Sequence, residues 1–394
     1  MRITFFSNFL NAHQLPLANE FNAMEGVDYT FVSLLATDGM VGRASLDDDY
    51  GFVVKEYESD AGAELAMRHA VEDDIVVFGD MAGKERYVRE RAKTGKPFFR
   101  YAERLLKRGD WWRFVPPKIY RTWSRFGRYK NDEMRVLCAS AYTARDLGLF
   151  GFPVSKCLKW GYFPQVQEGK GALDSITPLP RYKALCSAQR LIPWKRVDLQ
   201  VHALQRVISA GVDVKLTIAG DGPERRRLEA LASELGVSDN VEFLGELSHD
   251  DTLALMHECG IFLATSDRNE GWGATVNEAM SMGCCVIASE EMGSVPYLIE
   301  NGVNGFAFSD SDADGLVFNI LGVLNDEKLA RRLGTAAVDT ANGLWCAREA
   351  ACRFERLSKV VVAKGFDIAL KEEVFTHGPL SPSIWWNARS RRQF

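Results

Sequence analysis

Two glutamates eight positions apart have side chains that could accept hydrogen bonds from the hydroxyl groups of a ligand. They lie in the segment 269–280, NEGWGATVNEAM, where Glu270 precedes a predicted helix and Glu278 lies inside it. Carboxylates accept hydrogen bonds from hydroxyl groups, and eight residues correspond to about two helical turns. Gly271 and Gly273 leave the first amides of the helix accessible to a phosphate. A helix cap and a solvated helix residue would give the same spacing.

Two further segments have the residues expected of a diphosphate site. In the segment 187–198, SAQRLIPWKRVD, Arg190 and Lys195 follow a predicted strand and precede a predicted helix. A guanidinium fork, an ammonium charge and a helix start together suit a diphosphate, although both residues are also common at surfaces. The segment 219–224, AGDGPE, is typical of a tight turn. In this context Gly220 and Gly222 would also let a nucleotide approach the backbone.

The composition is that of an ordinary globular protein. The chain has 394 residues, of which 46% are hydrophobic and 26% charged. These values exclude a largely disordered chain, a collagen-like fibre and a disulfide-stapled miniprotein. The first residues, MRITFFS, are typical of a strand rather than a signal peptide, and the sequence has no run of the ~20 apolar residues that a membrane helix needs. The eight cysteines form no C-x-x-C pair, so we expect buried thiols in a cytoplasmic protein and no zinc site.

Alternating strands and helices predict the elements that position these residues. Strands are expected at 3–7, 29–34, 75–79 and 136–139, then at 184–188, 214–219, 241–244, 260–264 and 284–288. Short apolar strands alternating with helices favour parallel sheets covered on both faces. We therefore predict an α/β chain with two doubly wound, Rossmann-like domains facing a cleft. The first covers residues 1–165 and the second 182–348, with a Gly- and Pro-rich linker at 164–180.

The order of the motifs resembles a known family. R-x4-K, AGDGPE and E-x7-E, followed by A-M-x-x-G-x-x-V-I-A-S, are similar to the second domain of retaining glycosyltransferases of family 4, which have the GT-B fold. The resemblance covers residues 182–357. The first half, beginning with SNFLNAHQ, is closer to a subset of bacterial polysaccharide-cluster members. In this family the last helices cross back to the first domain, which suits residues 349–394.

The resemblance implies a role for each motif. Arg190 and Lys195 would neutralise the diphosphate of a nucleoside-diphosphate sugar, and Glu270 would hold hydroxyls of the transferred sugar. Glu278 would bind the ribose hydroxyls. The remaining donor-binding residues, mostly through their backbones, would be Gly220, Gly222, Leu247, Gly271, Trp272, Gly273, Ala274 and Thr275.

The acceptor side departs from the family pattern. Asn8 and Asn11 stand where relatives have a glycine pair, and a later first-domain histidine is replaced by the loop FGDMAG at 78–83. His13 and Asp80 are therefore candidates for contact with the acceptor, although His13 would also suit a cap on the first helix. The run 47–49, DDD, resembles a metal-binding D-x-D but is more typical of a solvated acidic loop. We expect no metal and no cofactor beyond the donor substrate.

Residues 84–130 are strongly basic. They contain 16 Lys and Arg against 4 Asp and Glu, with aromatic residues interleaved, in a chain of net charge −5. After Pro116 and Pro117, Ile119, Trp123 and Phe126 share one face of a predicted helix, and three arginines share the opposite one. The stretch suits an anionic membrane surface. The alternative is an aromatic face packed into the core with the arginines in water; nucleic-acid signatures are absent.

The sequence thus predicts an enzyme that transfers a sugar from a nucleotide sugar to a glycan or lipid-linked acceptor. The context would be bacterial cell-surface polysaccharide synthesis, in the cytoplasm or at the inner membrane face. Two alternatives stay open. One is a GT-B epimerase or phosphorylase using the same site, and the other is a non-catalytic sugar- or membrane-binding module.

Overall fold

The chain forms two compact units. A computed structural model describes residues 1–36, 45–163, 184–309 and 312–383. The first unit comprises Met1–Gln165 and Cys346–Trp386, and the second comprises Val166–Trp345 and Asn387–Phe394. The predicted linker at 164–180 lies outside the described residues, as does the tail from residue 384.

The first unit has a sheet of seven parallel strands. The strands are β1 (Arg2–Ser7), β2 (Asp28–Ser33), β3 (Val53–Lys55), β4 (Ile75–Phe78), β5 (Phe98–Ala102), β6 (Met134–Cys138) and β7 (Cys157–Lys159). Their order across the sheet is β3-β2-β1-β4-β5-β6-β7. The connecting helices are α1 (Leu15–Ala23), α2 (Asp60–Glu72), α3 (Arg86–Lys93), α4 (Pro116–Arg125) and α5 (Thr143–Leu149). Because β4 and β6 are buried along their whole length, both faces of the sheet must be covered.

The second unit repeats this design with six parallel strands. They are β8 (Ala184–Ala188), β9 (Lys215–Ala219), β10 (Val241–Gly245), β11 (Ile261–Ala264), β12 (Cys285–Ser289) and β13 (Phe306–Phe308), in the order β10-β9-β8-β11-β12-β13. The helices are α6 (Val197–Ser209), α7 (Arg225–Glu234), α8 (His249–Glu258), α9 (Ala274–Ser281), α10 (Val295–Leu298), α11 (Ala313–Asn325) and α12 (Glu327–Val338).

The C-terminal helices α13 (Ala347–Lys364) and α14 (Phe366–Ala369) belong to the first unit. Phe354 of α13 is fully buried, and its ring centre lies 5.7 Å from that of Phe5, 5.6 Å from Phe21 and 5.1 Å from Phe99. This aromatic cluster packs helix α13 against strands β1 and β5. It confirms the predicted return of the last helices to the first domain.

The strand order confirms the doubly wound α/β prediction for each half. In each sheet the first strand of the sequence, β1 or β8, lies inside the sheet. The next two strands extend the sheet to one side, and the remaining later strands extend it to the other. The carboxyl ends of β8 and β11, which are neighbours, form the switch point of the second sheet. All eight cysteines are free and seven are buried, as expected for small apolar core residues.

Candidate active site

Lys195 ends a short 3-10 turn, Pro193–Lys195, between strand β8 and helix α6. The hydroxyl of Thr265, just beyond β11, donates a hydrogen bond to the backbone oxygen of Lys195 at 2.9 Å. The amide of Asp267 donates to the backbone oxygen of Trp194, also at 2.9 Å. The loop after β11 therefore braces the turn and fixes the backbone that carries the ammonium group.

Glu270 lies directly against this turn. Its carboxylate forms an ion pair with the ammonium group of Lys195, and the two side chains are only 17% and 14% exposed, respectively. Partial shielding from water makes such a pair stronger than one on an open surface. The amide of Glu270 also donates to the backbone oxygen of Asp267 at 3.0 Å. The structure thus brings two of the predicted site residues into contact.

Arg190 lies in the loop after β8 and has an exposed side chain. Its guanidinium group makes no hydrogen bond or ion pair with the residues that the structure describes. The site therefore has two different cations. Lys195 is paired with the carboxylate of Glu270, whereas the N–H donors of the Arg190 guanidinium group are open to a ligand.

The two glycines of the AGDGPE turn have a packing role. Gly220 has φ +126°, and a Cβ there would lie 2.0 Å from the backbone oxygen of Gln189. A Cβ on Gly222 would lie 2.4 Å from the backbone oxygen of Leu191. The amide of Gly220 donates to the backbone oxygen of Gly245 at 2.6 Å. Close packing of three strand-end loops accounts for both glycines, and their contact with a nucleotide stays a prediction.

Helix α9 begins beside Glu270. Its N-cap, Gly273, has φ +89°, and a Cβ there would lie 3.4 Å from Cγ of Glu270. Within the described part of the chain, the amides of Gly273, Ala274 and Thr275 have no hydrogen-bond partner. Amides at a helix start attract anions. Together with Gly271, this turn has the form expected of a phosphate-binding segment.

Trp272 has a structural side chain. The indole is 1% exposed, and its Nε1 donates to Oδ1 of Asn277 at 2.8 Å. The indole ring centre lies 6.0 Å from that of Trp345 and 6.2 Å from that of Tyr297. The side chain of Trp272 therefore belongs to the core of the second unit, and contact of Trp272 with a donor stays a prediction.

Glu278 is half-buried in helix α9, and Leu247 is half-buried just beyond strand β10. Glu278 lies on the helix that starts with the open amides. The four predicted charged residues therefore all lie in the loops after β8 and β11 or in the helix that follows β11.

The first unit contains a cavity of about 850 Å³ that the sequence did not predict. Its walls come from the loops after β1, β4 and β5 and from helices α1 and α4. Its charged lining residues are Asp80, Glu103, Arg104, Lys107, Lys118, Arg121 and Arg125. The basic composition of residues 84–130 was a signal for this cavity, but helical spacing does not indicate which face of α4 points inward.

His13 lines the same cavity. It is exposed, its amide donates to Oδ1 of Asn11 at 3.0 Å, and its ring centre lies 5.8 Å from that of Tyr162. Asp80 also lines the cavity, with a side chain that is 67% exposed. Both acceptor-side candidates thus lie in the first unit, whereas the predicted donor residues lie in the second.

Helix α4 turns its aromatic face outward and its cationic face inward, the reverse of the alternative in which the aromatic face packs into the core. Tyr120 and Trp123 are 69% and 52% exposed, and Ile119 is also exposed, although Phe126 is buried. Lys118, Arg121 and Arg125 face the cavity instead. The alternative in which the aromatic face packs into the core is therefore wrong for most of this helix.

Residues 84–130 do not form one basic surface. Arg91 is fully buried and donates to the backbone oxygens of Asp73 and Pro97, each at 2.6 Å. Arg100, also fully buried, pairs with Glu85 at 2.9 Å. These two cations are paired inside the fold, as buried guanidinium groups require, and do not contribute to a basic surface.

The acidic run 47–49 is not wholly solvated. Asp47 is 3% exposed and accepts hydrogen bonds from the amide of Leu10 at 2.8 Å and the hydroxyl of Ser33 at 2.5 Å. The expectation of a solvated loop is wrong for Asp47, because this carboxylate joins the loops after β1 and β2. In the described ranges, no group of three or more His, Cys, Asp or Glu is arranged to hold a metal ion.

Comparison with known proteins identifies the second unit. Residues 175–340 match the family model for Glycosyl transferases group 1. The second unit therefore contains a group 1 glycosyltransferase domain, as the order of its motifs predicted. None of the helices in the described ranges has both the length and the apolarity needed to cross a bilayer.

Curated relatives resemble part of the chain. N-acetyl-alpha-D-glucosaminyl L-malate synthase of Bacillus anthracis is 32% identical over 143 residues, which is 36% of each chain. The lipopolysaccharide core biosynthesis glycosyltransferase LpsE of Rhizobium meliloti is 31% identical over 36% of this chain and 41% of its own. The chain thus covers less than half the length of these relatives.

Solved structures match over almost the whole chain. HepE of Anabaena, solved in complex with UDP, has a TM-score of 0.68 at 17% identity and covers 91% of this chain and 100% of its own. The lipopolysaccharide outer core galactosyltransferase WaaB has a TM-score of 0.62 at 18% identity, over 94% and 99%. These likenesses confirm the predicted fold class, two Rossmann-like halves of the GT-B kind.

Proposed function

We propose that the protein is a retaining glycosyltransferase of family 4, which moves a sugar from a nucleoside-diphosphate sugar to an acceptor hydroxyl. The contact between Lys195 and Glu270 carries this proposal. It puts a phosphate-binding cation and a carboxylate suited to sugar hydroxyls side by side, next to the open amides of helix α9. The group 1 domain match over residues 175–340 supports it.

In this proposal each part of the nucleotide sugar is bound by its own set of residues. Arg190 and Lys195 bind the diphosphate, with help from the amides of Gly273 to Thr275. Glu270 accepts hydrogen bonds from hydroxyls of the transferred sugar. Glu278 accepts them from the ribose, and the backbones near Leu247 and Gly220 border the base.

The chemistry follows from where charge develops. As the sugar–phosphate bond breaks, negative charge grows on the leaving diphosphate and positive charge on the sugar ring. Fixed cations and amides aimed at the diphosphate stabilise this transition state, and each such group contributes on the order of a hundredfold in rate. The acceptor hydroxyl attacks the face that the diphosphate leaves, and a phosphate oxygen takes its proton. The reaction thus retains configuration and needs neither a protein nucleophile nor a metal ion.

We place the acceptor in the cavity of the first unit, where His13 contacts it. A glycan or a lipid-linked saccharide of bacterial surface polysaccharide synthesis fits the proposal, and the name of the LpsE relative is consistent with that class. We further propose a cytoplasmic protein that binds the inner membrane face. The exposed aromatic residues of α4 and the exposed cations Arg128 and Lys130 just after it support this location.

A donor screen tests the proposed reaction. The purified protein is incubated with UDP-, GDP- and ADP-sugars, with and without glycan and lipid-linked acceptors, and release of the nucleoside diphosphate is measured. We expect acceptor-dependent release with one donor, and NMR of the product should show the donor's anomeric configuration.

Three other outcomes would contradict the proposal. Epimerisation of the donor without any acceptor would identify an epimerase, and transfer to inorganic phosphate would identify a phosphorylase. If no nucleoside diphosphate binds and no donor reacts, the protein is a binding module.

A further inference from the structure

The cavity of the first unit has an excess of positive charge. Five cationic side chains line it, Arg104, Lys107, Lys118, Arg121 and Arg125, against the two carboxylates of Asp80 and Glu103. A cavity lined by one sign of charge concentrates ligands of the opposite sign. The lining therefore favours an anion.

Some of these cations already have partners. Lys107 pairs with Glu103 at 3.0 Å, and Glu103 also accepts a hydrogen bond from the hydroxyl of Tyr162 at 2.8 Å. Arg125 lies 3.6 Å from a carboxylate oxygen of Glu85 and 3.9 Å from one of Asp80. Protein carboxylates thus neutralise part of the lining.

The side chains of Lys118 and Arg121 differ from these. Neither makes a hydrogen bond or an ion pair within the ranges that the structure describes. Both project from one face of helix α4 into the cavity. Arg104 is 6% exposed, and its guanidinium carbon lies 4.0 Å from the ring centre of Tyr142. That stacking holds the guanidinium in a fixed position.

The lining cations are close enough to affect one another. Burial, together with the charges of Arg121, Arg125 and Lys107, lowers the pKa of Lys118, although Asp146 opposes the shift. Like charges repel in this way unless an anion is placed among them. An anion bound among these cations would favour the charged form of Lys118.

We infer that this cavity binds a phosphate or diphosphate group of the acceptor, with Lys118 and Arg121 as its main contacts and Arg104 beside them. The inference rests on the proposed function, because it assigns the acceptor to this unit. A diphosphate carries more than one negative charge and therefore suits a lining in which cations outnumber carboxylates better than a single carboxylate does. Guanidinium forks also suit phosphate oxygens.

Two sources supply such a group, a soluble phosphate ester and a lipid-linked diphosphate. The same helix has Tyr120 and Trp123 exposed on its other face. A helix with its cations turned toward a cavity and its aromatic residues turned outward suits a ligand presented at a membrane surface.

The test measures anion binding apart from the donor site. In a protein carrying Arg190→Ala and Lys195→Ala, inorganic pyrophosphate is titrated by calorimetry. Adding Lys118→Ala and Arg121→Ala should weaken binding about tenfold or more. The matched pair Arg128→Ala and Lys130→Ala removes the same charge from exposed residues of the same segment that do not line the cavity, and should leave the affinity unchanged.

The remaining outcomes are also decisive. The inference would be overturned if both pairs of substitutions weakened pyrophosphate binding equally or if pyrophosphate did not bind at all. Tighter binding of succinate than of pyrophosphate would also overturn it. Arg121→Gln alone, at an exposed position, repeats the test if the double variant does not fold. Farnesyl diphosphate binding more tightly than pyrophosphate assigns a lipid-linked source, and equal affinity assigns a soluble ester; both support the site. Failure of the proposed transferase would show separately, as the absence of acceptor-dependent release of a nucleoside diphosphate by the unmodified protein.

Discussion

Lys195 and Glu270, 75 positions apart in the chain, form an ion pair at the switch point of the second sheet. The loops that carry them are joined by hydrogen bonds from Thr265 and Asp267. The pair holds an ammonium group and a carboxylate in fixed relation. In the proposed reaction these two groups bind different parts of one substrate, the diphosphate and the sugar.

Substitution of the two residues should therefore have different effects. Lys195→Met should weaken binding of the nucleoside diphosphate about tenfold or more, because one charge-assisted contact is lost. Glu270→Gln should leave that affinity nearly unchanged but lower turnover on the order of a hundredfold. Calorimetry and donor kinetics measure the two effects. Lys215→Met, at an exposed lysine of β9, is the control for charge. Identical effects of the two substitutions would rule out the division of roles.

Gly220 should be required for stability. Gly220→Ala places a Cβ against the backbone oxygen of Gln189. We expect the positive φ and the overpacking together to lower the free energy of unfolding by roughly 3 kcal/mol. Gly211 has a similar positive φ, +84°, but no atom near its Cβ position. Gly211→Ala should therefore cost only about 1 kcal/mol. Chemical denaturation measures both values, and equal losses would show that the loop packing has no importance.

The sequence predicted the second unit better than the first. Its strands are short apolar runs separated by amphipathic helices, so β8 was predicted with its observed bounds. Strand β5, FFRYA, was missed because Arg100 interrupts the apolar pattern. That guanidinium is buried only because Glu85, fifteen positions away, pairs with it. Such a partner is not visible in a local pattern.

The candidate site shows the same limit. Motif order placed Lys195 and Glu270 correctly in neighbouring loops, because carboxyl ends of parallel strands share one edge. The orientation of α4 could not be predicted, since both of its faces suit burial: one is aromatic and the other has long, partly apolar Lys and Arg stems. The adjoining cavity determines which face points inward, and a local sequence pattern does not reveal it because its walls come from distant segments.

Glu56 should give the first unit an acid-sensitive contact. It is 5% exposed and accepts hydrogen bonds from Arg86 at 2.8 Å, Tyr87 at 2.6 Å and Lys84. Burial alone would raise the pKa of Glu56, but the hydrogen bonds from Lys84 and Tyr87 outweigh it and the pKa is lowered. Its contribution to stability is therefore present above the unfolded-state value of about 4.3 and is lost as the pH falls below it.

Glu56→Gln should remove this contribution and lower the free energy of unfolding near neutral pH by roughly 3 kcal/mol. The free energy of unfolding of the variant should then fall less steeply as the pH is lowered. Denaturation at several pH values measures it. Glu58→Gln is the control, because that side chain is 66% exposed. Parallel acid limbs for the wild type and Glu56→Gln would contradict the assignment.

The aromatic face of α4 should bind anionic membranes. Vesicles containing anionic lipid should retain the protein at low salt and release it at high salt. Replacing Tyr120 and Trp123 by serine should reduce retention, whereas Phe318→Ser, at a 75% exposed residue of the second unit, should not. Sedimentation with vesicles measures this. Equal binding to neutral and anionic vesicles would argue against an electrostatic membrane surface.

Binding of a nucleoside diphosphate to the second unit is the central claim, and Glu278 tests it most directly. Calorimetry is carried out with UDP, GDP and ADP on the wild type, on Glu278→Ala and on Glu234→Ala, an exposed glutamate of α7. We predict that at least one nucleotide binds, that Glu278→Ala weakens it about tenfold through the lost ribose contact, and that Glu234→Ala does not. Absence of binding for all three nucleotides, or equal affinities in the three proteins, would contradict the account.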